Sequence, residues 1–310
     1  MMLAGLTQAA LTARLRGPGL LLRAGPFVFR LRSPHRLVAE GLRALYADHA
    51  LAADDAFADF ALAIEHGAGL RRWFRPQGRF MFDGHAVFEP LPRDHVYPLV
   101  EWAMNWCITN HAHRYLIVHA AVLERHGFGL VLPAPPGSGK STLCAALLFS
   151  GWRLLSDELA LLGMDDGLLW PLARPVSLKN QSIDVIRNFA PEARLNRVTH
   201  DTVKGSVTHL RVPLEHLARV AEPARPRWIV TPRYAAGAPT AMTPRSRAAA
   251  MVDLARNSFN FAIQGQAGFE RLGEMVQASE CRDFVYHDLP SAVAAFDGLS
   301  QGRADRKSVV

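Results

Sequence analysis

The sequence predicts an α/β protein: an α/β core with a small α+β region ahead of it. Two observations point to the core. Ala134-Pro135-Pro136-Gly137-Ser138-Gly139-Lys140-Ser141-Thr142 reads A-x-x-x-x-G-K-S-T, between an apolar run and a helix-forming run. A strand-like stretch, Trp152-Arg-Leu-Leu155, follows the helix and leads into Asp157-Glu158. A third observation sets the N-terminal region apart: residues 1–93 break into short alternating segments separated by Pro and Gly turns. The expected organisation is an α+β region over 1–93, a core over 94–301 and a frayed polar tail over 302–310.

The elements follow in order. Leu6 to Leu15 suits an amphipathic helix, and Pro26 to Arg32 alternates as a strand does. Pro34 opens a helix through Ala47, and Asp59 to Ile64 suits a strand. Arg71–Arg75, Arg79–Phe82 and Ala86–Glu89 read as short strands split by Pro76-Gln77-Gly78 and Asp83-Gly84, the second a hairpin signal. Trp73, Phe74, Phe80 and Phe82 are expected in the core. His95 to Asn110 reads as a helix with Trp102 and Trp106 on one side. Tyr115 to Leu123 is a strong strand, and a turn at Arg125-His126-Gly127 feeds the strand Phe128–Leu132. Thr142 to Ser150 suits a helix closed by Gly151, and Trp152–Leu155 and Leu159–Leu162 read as extended. Later come a short helix over Gln181–Phe189, a strand over Trp228–Thr231 and a helix over Arg245–Phe259.

Composition narrows the function classes. With 49% hydrophobic and 20% charged residues in a chain of 310, the protein can bury a sizeable core. The net charge of +7 comes mostly from dispersed Arg with no run of five basic residues, which argues against nucleic acid as the partner. Three distant cysteines, Cys107, Cys144 and Cys281, form neither a disulfide framework nor a CxxC site and fit a reducing, cytoplasmic compartment. No stretch of 18 apolar residues occurs, so no membrane span is expected. The first 39 residues are free of acids and carry five Arg between positions 14 and 32, but Arg interrupts their apolar runs and no signal segment is expected.

The loop carries the chemistry. Strand, glycine-rich loop and helix turn backbone N–H groups onto phosphate oxygens, and the helix N-terminus adds partial positive charge there. Residues 134–142 are therefore the expected nucleotide-binding segment. Lys140 is placed to reach the β- and γ-phosphates and the Ser141 hydroxyl to ligate Mg²⁺. Asp157 and Glu158 lie 17 and 18 positions beyond Lys140. A helix of about ten residues rises roughly 15 Å, and a strand of four or five residues covers a similar distance. The loop helix thus returns into the neighbouring strand with its acids beside the loop. One carboxylate then serves Mg²⁺ and the other accepts the proton of an attacking hydroxyl. His119 lies in the preceding strand, while His111 and His113 have the spacing of a metal pair with nothing to complete it and are read as surface residues.

Three stretches resemble the HPr kinase/phosphorylase core: Tyr115-Leu-Ile-Val-His119-Ala, Pro133 to Thr142, and Gly151-Trp-Arg-Leu-Leu-Ser-Asp-Glu-Leu159. Glu101-Trp102, Asn105-Trp-Cys107 and the stretch from Asp288 to Asp297 resemble, more narrowly, the HPr-kinase-related proteins called HprK-related kinase A. The resemblance covers most of the chain and is specific over residues 115–160. It implies a P-loop core of the HPr-kinase/PEP-carboxykinase type with a mixed sheet, and ATP- and Mg²⁺-dependent phosphorylation of a Ser or Thr hydroxyl on a protein or peptide. It carries the family's catalytic positions onto His119, Lys140, Asp157 and Glu158, with Ser141 and Asp157 at Mg²⁺. It also implies a homo-oligomer. The chain departs from the pattern at Glu158, where the bifunctional enzymes have Asp, and in lacking their later Glu-Arg-Gly segment, for which Lys179-Asn180 and Arg187 stand nearby. A kinase without efficient phosphorylase activity is the expectation. The alternatives are a kinase of small molecules and a nucleotide-switched binding module with little turnover.

Overall fold

The computed structural model describes residues 1–135 and 137–302; Pro136 and the tail from Arg303 lie outside the described residues. The first stretch of chain holds α1 (Gln8–Arg16), β1 (Leu20–Ala24), β2 (Phe27–Arg32), α2 (Arg36–Leu45), β3 (Phe60–His66), β4 (Gln77–Phe82), β5 (His85–Ala86), β6 (Leu91–Pro92) and α3 (Val96–His111). Then come β7 (Tyr115–Arg125), β8 (Phe128–Pro133), α4 (Lys140–Leu148), β9 (Arg153–Ser156), β10 (Leu159–Gly163), β11 (Leu169–Trp170), β12 (Val176–Lys179), α5 (Gln181–Phe189), β13 (Thr199–Thr202), β14 (Gly205–Leu210) and α6 (Leu214–Leu217). The last stretch holds β15 (Arg225–Tyr234), β16 (Ala241–Pro244), α7 (Arg247–Arg256), α8 (Phe261–Ala278), β17 (Glu280–Tyr286) and α9 (Leu289–Gln301). None of the described helices is long and apolar enough to cross a membrane. Contacts gather these elements into two compact units: Met1–Ala112 with Ala173–Ile183 and Ala193–Arg219, and His113–Leu172 with Asp184–Glu192 and the chain from Val220 onward.

The first unit has a sheet in the order β1-β2-β3-β4-β5, with β6 also on β4, and a smaller sheet β12-β14-β13. Asp83 and Gly84 both take positive φ, 48° and 79°, and join β4 to β5 as a two-residue hairpin, the geometry this dipeptide favours. Phe80 is fully buried and packs edge-on to Trp106. Trp73 and Phe74 correct the expectation of a buried aromatic set, being 82% and 71% exposed. Their segment is no strand: Gly69–Arg72 is a 3₁₀ turn, and the amides of Trp73 and Phe74 both donate to the Leu70 carbonyl. Those bonds consume the groups a strand would offer a neighbour.

A buried charge network ties α2, α3 and the returning segment at Arg174 together. Glu101 accepts from Tyr97 Oη (2.7 Å), Tyr46 Oη (3.0 Å) and Arg174 Nη2 (2.7 Å), and Arg174 Nη1 donates to Asn105 Oδ1 (2.7 Å). Burial alone would raise the Glu101 carboxyl, but the Arg174 charge and these hydrogen bonds outweigh it and hold the group below its ordinary range. His49, buried nearby, makes a 3.0 Å hydrogen bond to the Ala173 carbonyl.

The second unit is built on a sheet in the order β11-β10-β7-β8-β15-β17-β16, with β9 on β7. β8, β15 and β17 run parallel; β7 and β16 run against them. Even-numbered residues of β7 (Leu116, Val118, Ala120, Val122) pack in one core with Ala250 and Leu254 of α7 and Leu272, Met275 and Val276 of α8. The opposite face carries an aromatic cluster of Trp152, Trp228, Phe284 and Phe296 that includes α9. The period of two in β7 therefore puts odd positions, His119 among them, on the side away from α7 and α8.

One topological expectation is corrected. The strand after α4 is not the neighbour of β8, because β7 lies between them. The reason is the tight turn at His126 and Gly127, with φ of 55° and 81°, which pairs Arg125 with Phe128 and commits that edge of β7 to β8. β9 takes the other edge, antiparallel to β7 and hence parallel to β8. The acids still arrive at the carboxyl end of the sheet, where β8 ends.

In the first unit, Arg174→Met leaves a buried carboxylate without its cation and is expected to lower unfolding free energy by about 3–5 kcal/mol in denaturant titration. Burial depresses His49 from 6.5 to about 4, against the opposing hydrogen bond to Ala173. The unfolded chain takes up that proton near 6.5 and the folded chain resists until about 4, so this contribution is intact above pH 6.5 and is lost as the pH falls toward 4. Unfolding curves across that window are expected to lose up to about 3 kcal/mol from this group, and His49→Gln is expected to flatten the dependence.

Candidate functional site

The loop between β8 and α4 is shaped by two glycines. Gly137 and Gly139 have φ of 85° and 88°, a region where an L side chain is strained. At Gly137 a Cβ would meet open space, so only the backbone conformation calls for glycine. Gly139 is also a close approach: a Cβ there would lie 2.3 Å from Tyr286 Oη and 3.1 Å from Tyr234 Cβ. Tyr286 Oη donates to the Gly139 carbonyl (3.0 Å), and the Tyr234 amide donates to the Ser138 carbonyl (3.0 Å). The ends of β15 and β17 thus brace the loop. Gly139 caps α4 and Lys140 is its first residue, so the first-turn amides, Lys140 to Thr142, point out of the helix toward the loop. Ser138 Oγ is buried and has no hydrogen-bond partner among the described residues. Ala134 is buried and Pro135 exposed, while Pro136 lies outside the described residues.

Lys140 is 7% exposed, and its Nζ lies 3.1 Å from His119 Nε2. An ammonium can only donate, so Nε2 accepts and the ring proton belongs on Nδ1. His119 is positioned by an element the sequence did not reveal. β8 covers β7 only from Ala120 onward, and Asn257–Asn260 cover the rest of that edge. The His119 amide donates to the Asn257 carbonyl (2.8 Å), the Phe259 amide to Ile117 O (2.9 Å), and Asn260 bonds both Ile117 N (2.9 Å) and Tyr115 O (2.8 Å) through its side chain. The Phe259 ring stands edge-on to the imidazole at 6.1 Å.

Asp157 and Glu158 occupy a bend between β9 and β10, opposite the stretch of β7 between the pairs Leu159↔His119 and Val122↔Ser156. The Leu159 amide donates to Ser156 Oγ (3.1 Å), which closes the bend. Asp157 is buried at 6% exposure, and Ser141 Oγ donates to its Oδ2 at 3.4 Å. Burial and then the Asp157 charge push the Cys144 thiol, one turn further along α4, well above its ordinary range. Glu158 is half-buried. The fold therefore gathers an ammonium, an imidazole, a hydroxyl and two carboxylates at the carboxyl ends of β8 and β9, beside the middle of the antiparallel β7. His111 and His113 are exposed and stand apart from this group in sequence and element. Among the described residues no cluster of three or more His, Cys, Asp or Glu is placed to hold a metal. Mg²⁺ asks for less, one or two protein oxygens with waters and substrate phosphates completing its shell. Ser141 and Asp157 fit that demand.

No protein-family model matches the chain, and no curated protein matches it. Among solved structures it aligns with the Hpr(Ser) kinase/phosphatase from Coxiella burnetii at 11% identity and a TM-score of 0.29, over 62% of this chain and 98% of that one. A likeness of that size carries no argument.

Gly139→Ala is expected to cost about 1–3 kcal/mol in chemical denaturation, since it adds left-handed strain to a clash with Tyr286. Tyr286→Phe removes one hydrogen bond and is expected to cost about 0.5–1.5 kcal/mol. The double variant should lose less than the sum, because removing the Tyr286 hydroxyl vacates the space the new Cβ needs. Simple additivity would show that the two groups do not meet.

Proposed function

We propose that the protein is an ATP- and Mg²⁺-dependent phosphotransferase acting on a Ser or Thr hydroxyl of a protein or peptide. The observation that carries this reading is the pair of contacts astride the loop, Lys140 Nζ to His119 Nε2 at 3.1 Å and Ser141 Oγ to Asp157 Oδ2 at 3.4 Å. The loop also fits a phosphate chain on its own terms: two left-handed glycines, a helix N-terminus and the buried hydroxyl of Ser138 surround it.

The bound nucleotide would supply the transferable phosphoryl group, and Mg²⁺ would offset its charge. The remaining roles belong to this chain. Lys140, itself almost wholly buried, lends positive charge to the phosphate oxygens, and a charge held out of water acts more strongly. Ser141 and Asp157 hold the metal. Glu158 accepts the proton of the acceptor hydroxyl, its half-buried position leaving it open to an incoming side chain. His119, anchored by Asn257, fixes the direction of the Lys140 side chain. Glu158 and the lack of the Glu-Arg-Gly segment favour the forward reaction over its phosphorylase reverse. The acceptor reading and the expected homo-oligomer draw on the sequence resemblance.

The test uses labelled ATP with Mg²⁺ and the small proteins encoded beside the gene, followed by mapping of the labelled residue. One labelled Ser or Thr on one partner is the expected result. Glu158→Gln is expected to slow transfer by about 10²- to 10⁴-fold with ATP binding intact, and Lys140→Ala to abolish it. Label on a free hydroxyl compound alone would make the protein a small-molecule kinase. Tight ATP binding indifferent to Glu158→Gln, with no transfer, would make it a nucleotide switch.

A further inference from the structure

We propose that Tyr234 is the platform on which the base of the bound nucleotide stacks, and that the site takes nucleoside triphosphates with little discrimination between bases. This rests on the reading of residues 134–142 as the phosphate site. The groups that meet the terminal phosphate, His119, Asp157 and Glu158, lie on β7 and at the end of β9, on one side of β8. A nucleotide whose terminal phosphate lies there must extend its nucleoside the other way, across the end of β8 toward β15 and β17. In such sheets ligands bind outside the carboxyl ends of the strands.

Tyr234 is the last residue of β15, next to β8 on that other side. It meets the loop at two points, by its amide to Ser138 O at 3.0 Å and by its Cβ, which stands over Gly139. Its register partner on β17 is Tyr286, whose ring stands edge-on at 5.6 Å and 70°. One partner thus sets the orientation of the Tyr234 ring, yet the residue remains 52% exposed. The chain that follows, Ala235-Ala236-Gly237-Ala238, turns back through a bond from Ala238 N to Ala235 O and brings no bulky side chain. An oriented aromatic ring with open surface beside a phosphate loop suits stacking, which every base can provide and which carries little sequence preference.

Binding of MgATP, MgGTP and magnesium tripolyphosphate, measured by isothermal titration calorimetry, tests this without any acceptor. Wild-type protein is expected to bind all three. Tyr234→Ala should weaken ATP and GTP by about 10- to 100-fold while leaving tripolyphosphate within about two-fold, and Tyr234→Phe and Tyr234→Trp should keep nucleotide affinity. Tyr234→Leu retains bulk against Gly139 without a π-face and should behave as Tyr234→Ala does. Equal weakening of tripolyphosphate and ATP would make Tyr234 a brace for the loop alone, and unchanged ATP affinity in Tyr234→Ala would place the base elsewhere; either result overturns the proposal. Wild-type protein that binds none of the three would overturn the phosphate-loop reading and this inference with it.

Discussion

Burying a lysine ammonium is the demand around which the second unit is arranged. Lys140 opens α4 and is almost wholly covered, so its charge must be met by protein groups or not buried at all. One group that meets Nζ, at 3.1 Å, is the imidazole of His119. That contact requires β7 to lie against β8 with its odd positions turned toward α4. It requires β7 to be held along the part of its edge that β8 leaves uncovered, which Asn257–Asn260 achieve. β9, on the far edge of β7, then brings Asp157 to the second residue of α4, Ser141. Strand order, hairpin and bend all serve that neighbourhood.

The loop is braced from the opposite side. Glycine at 139 removes the one atom that would collide with Tyr286, and in exchange the Tyr286 hydroxyl reaches a loop carbonyl. A loop that is to receive phosphate, as proposed for this one, must present amides, so its carbonyls have to be turned away and satisfied elsewhere. Ser138 O and Gly139 O are both accounted for by β15 and β17. The two sides of the sheet thus divide the work, β7 and β9 supplying side-chain charge and β15 and β17 fixing backbone direction.

Much of this is legible in the sequence because it is local. Gly137, Gly139, Lys140 and Ser141 announce the turn and the helix start, and His126-Gly127 and Asp83-Gly84 announce hairpins; α4 itself ends earlier than its glycine suggests, at Leu148 with Phe149 as C-cap, and Gly151, with φ of 87°, lies in the turn beyond. Strand order is not local. Nothing between Gly151 and Leu155 says that β9 pairs with β7 rather than β8, since that follows from which edge the hairpin leaves open. The 18-residue α8 is not legible in the sequence because Gly265, Gly268 and Gly273 interrupt its pattern, and at Gly265 the backbone leaves helical geometry. Trp73 and Phe74 read as core because composition is blind to a turn that closes on itself. The edge cover from Asn257 to Asn260 had a faint signal: two Asn and a Ser in four residues, directly after a helix, offer side chains that can bond a strand backbone.

The bend at Asp157-Glu158 resolves a difficulty posed by two adjacent acids. On a straight strand neighbouring side chains point to opposite faces, and one of the pair would be turned away from the loop. Here pairing with β7 is interrupted between Ser156 and Leu159, and Ser156 Oγ takes the Leu159 amide to close the gap. The backbone is thereby released from strict alternation for those two residues. Asp157 is buried against α4, while Glu158 keeps partial exposure. That difference in environment is the ground on which the proposed reading gives the first acid to the metal and the second to proton transfer. A carboxylate fixed against a helix suits a cation, whereas a half-buried one, on a side chain a methylene longer, suits an acceptor hydroxyl arriving from solvent.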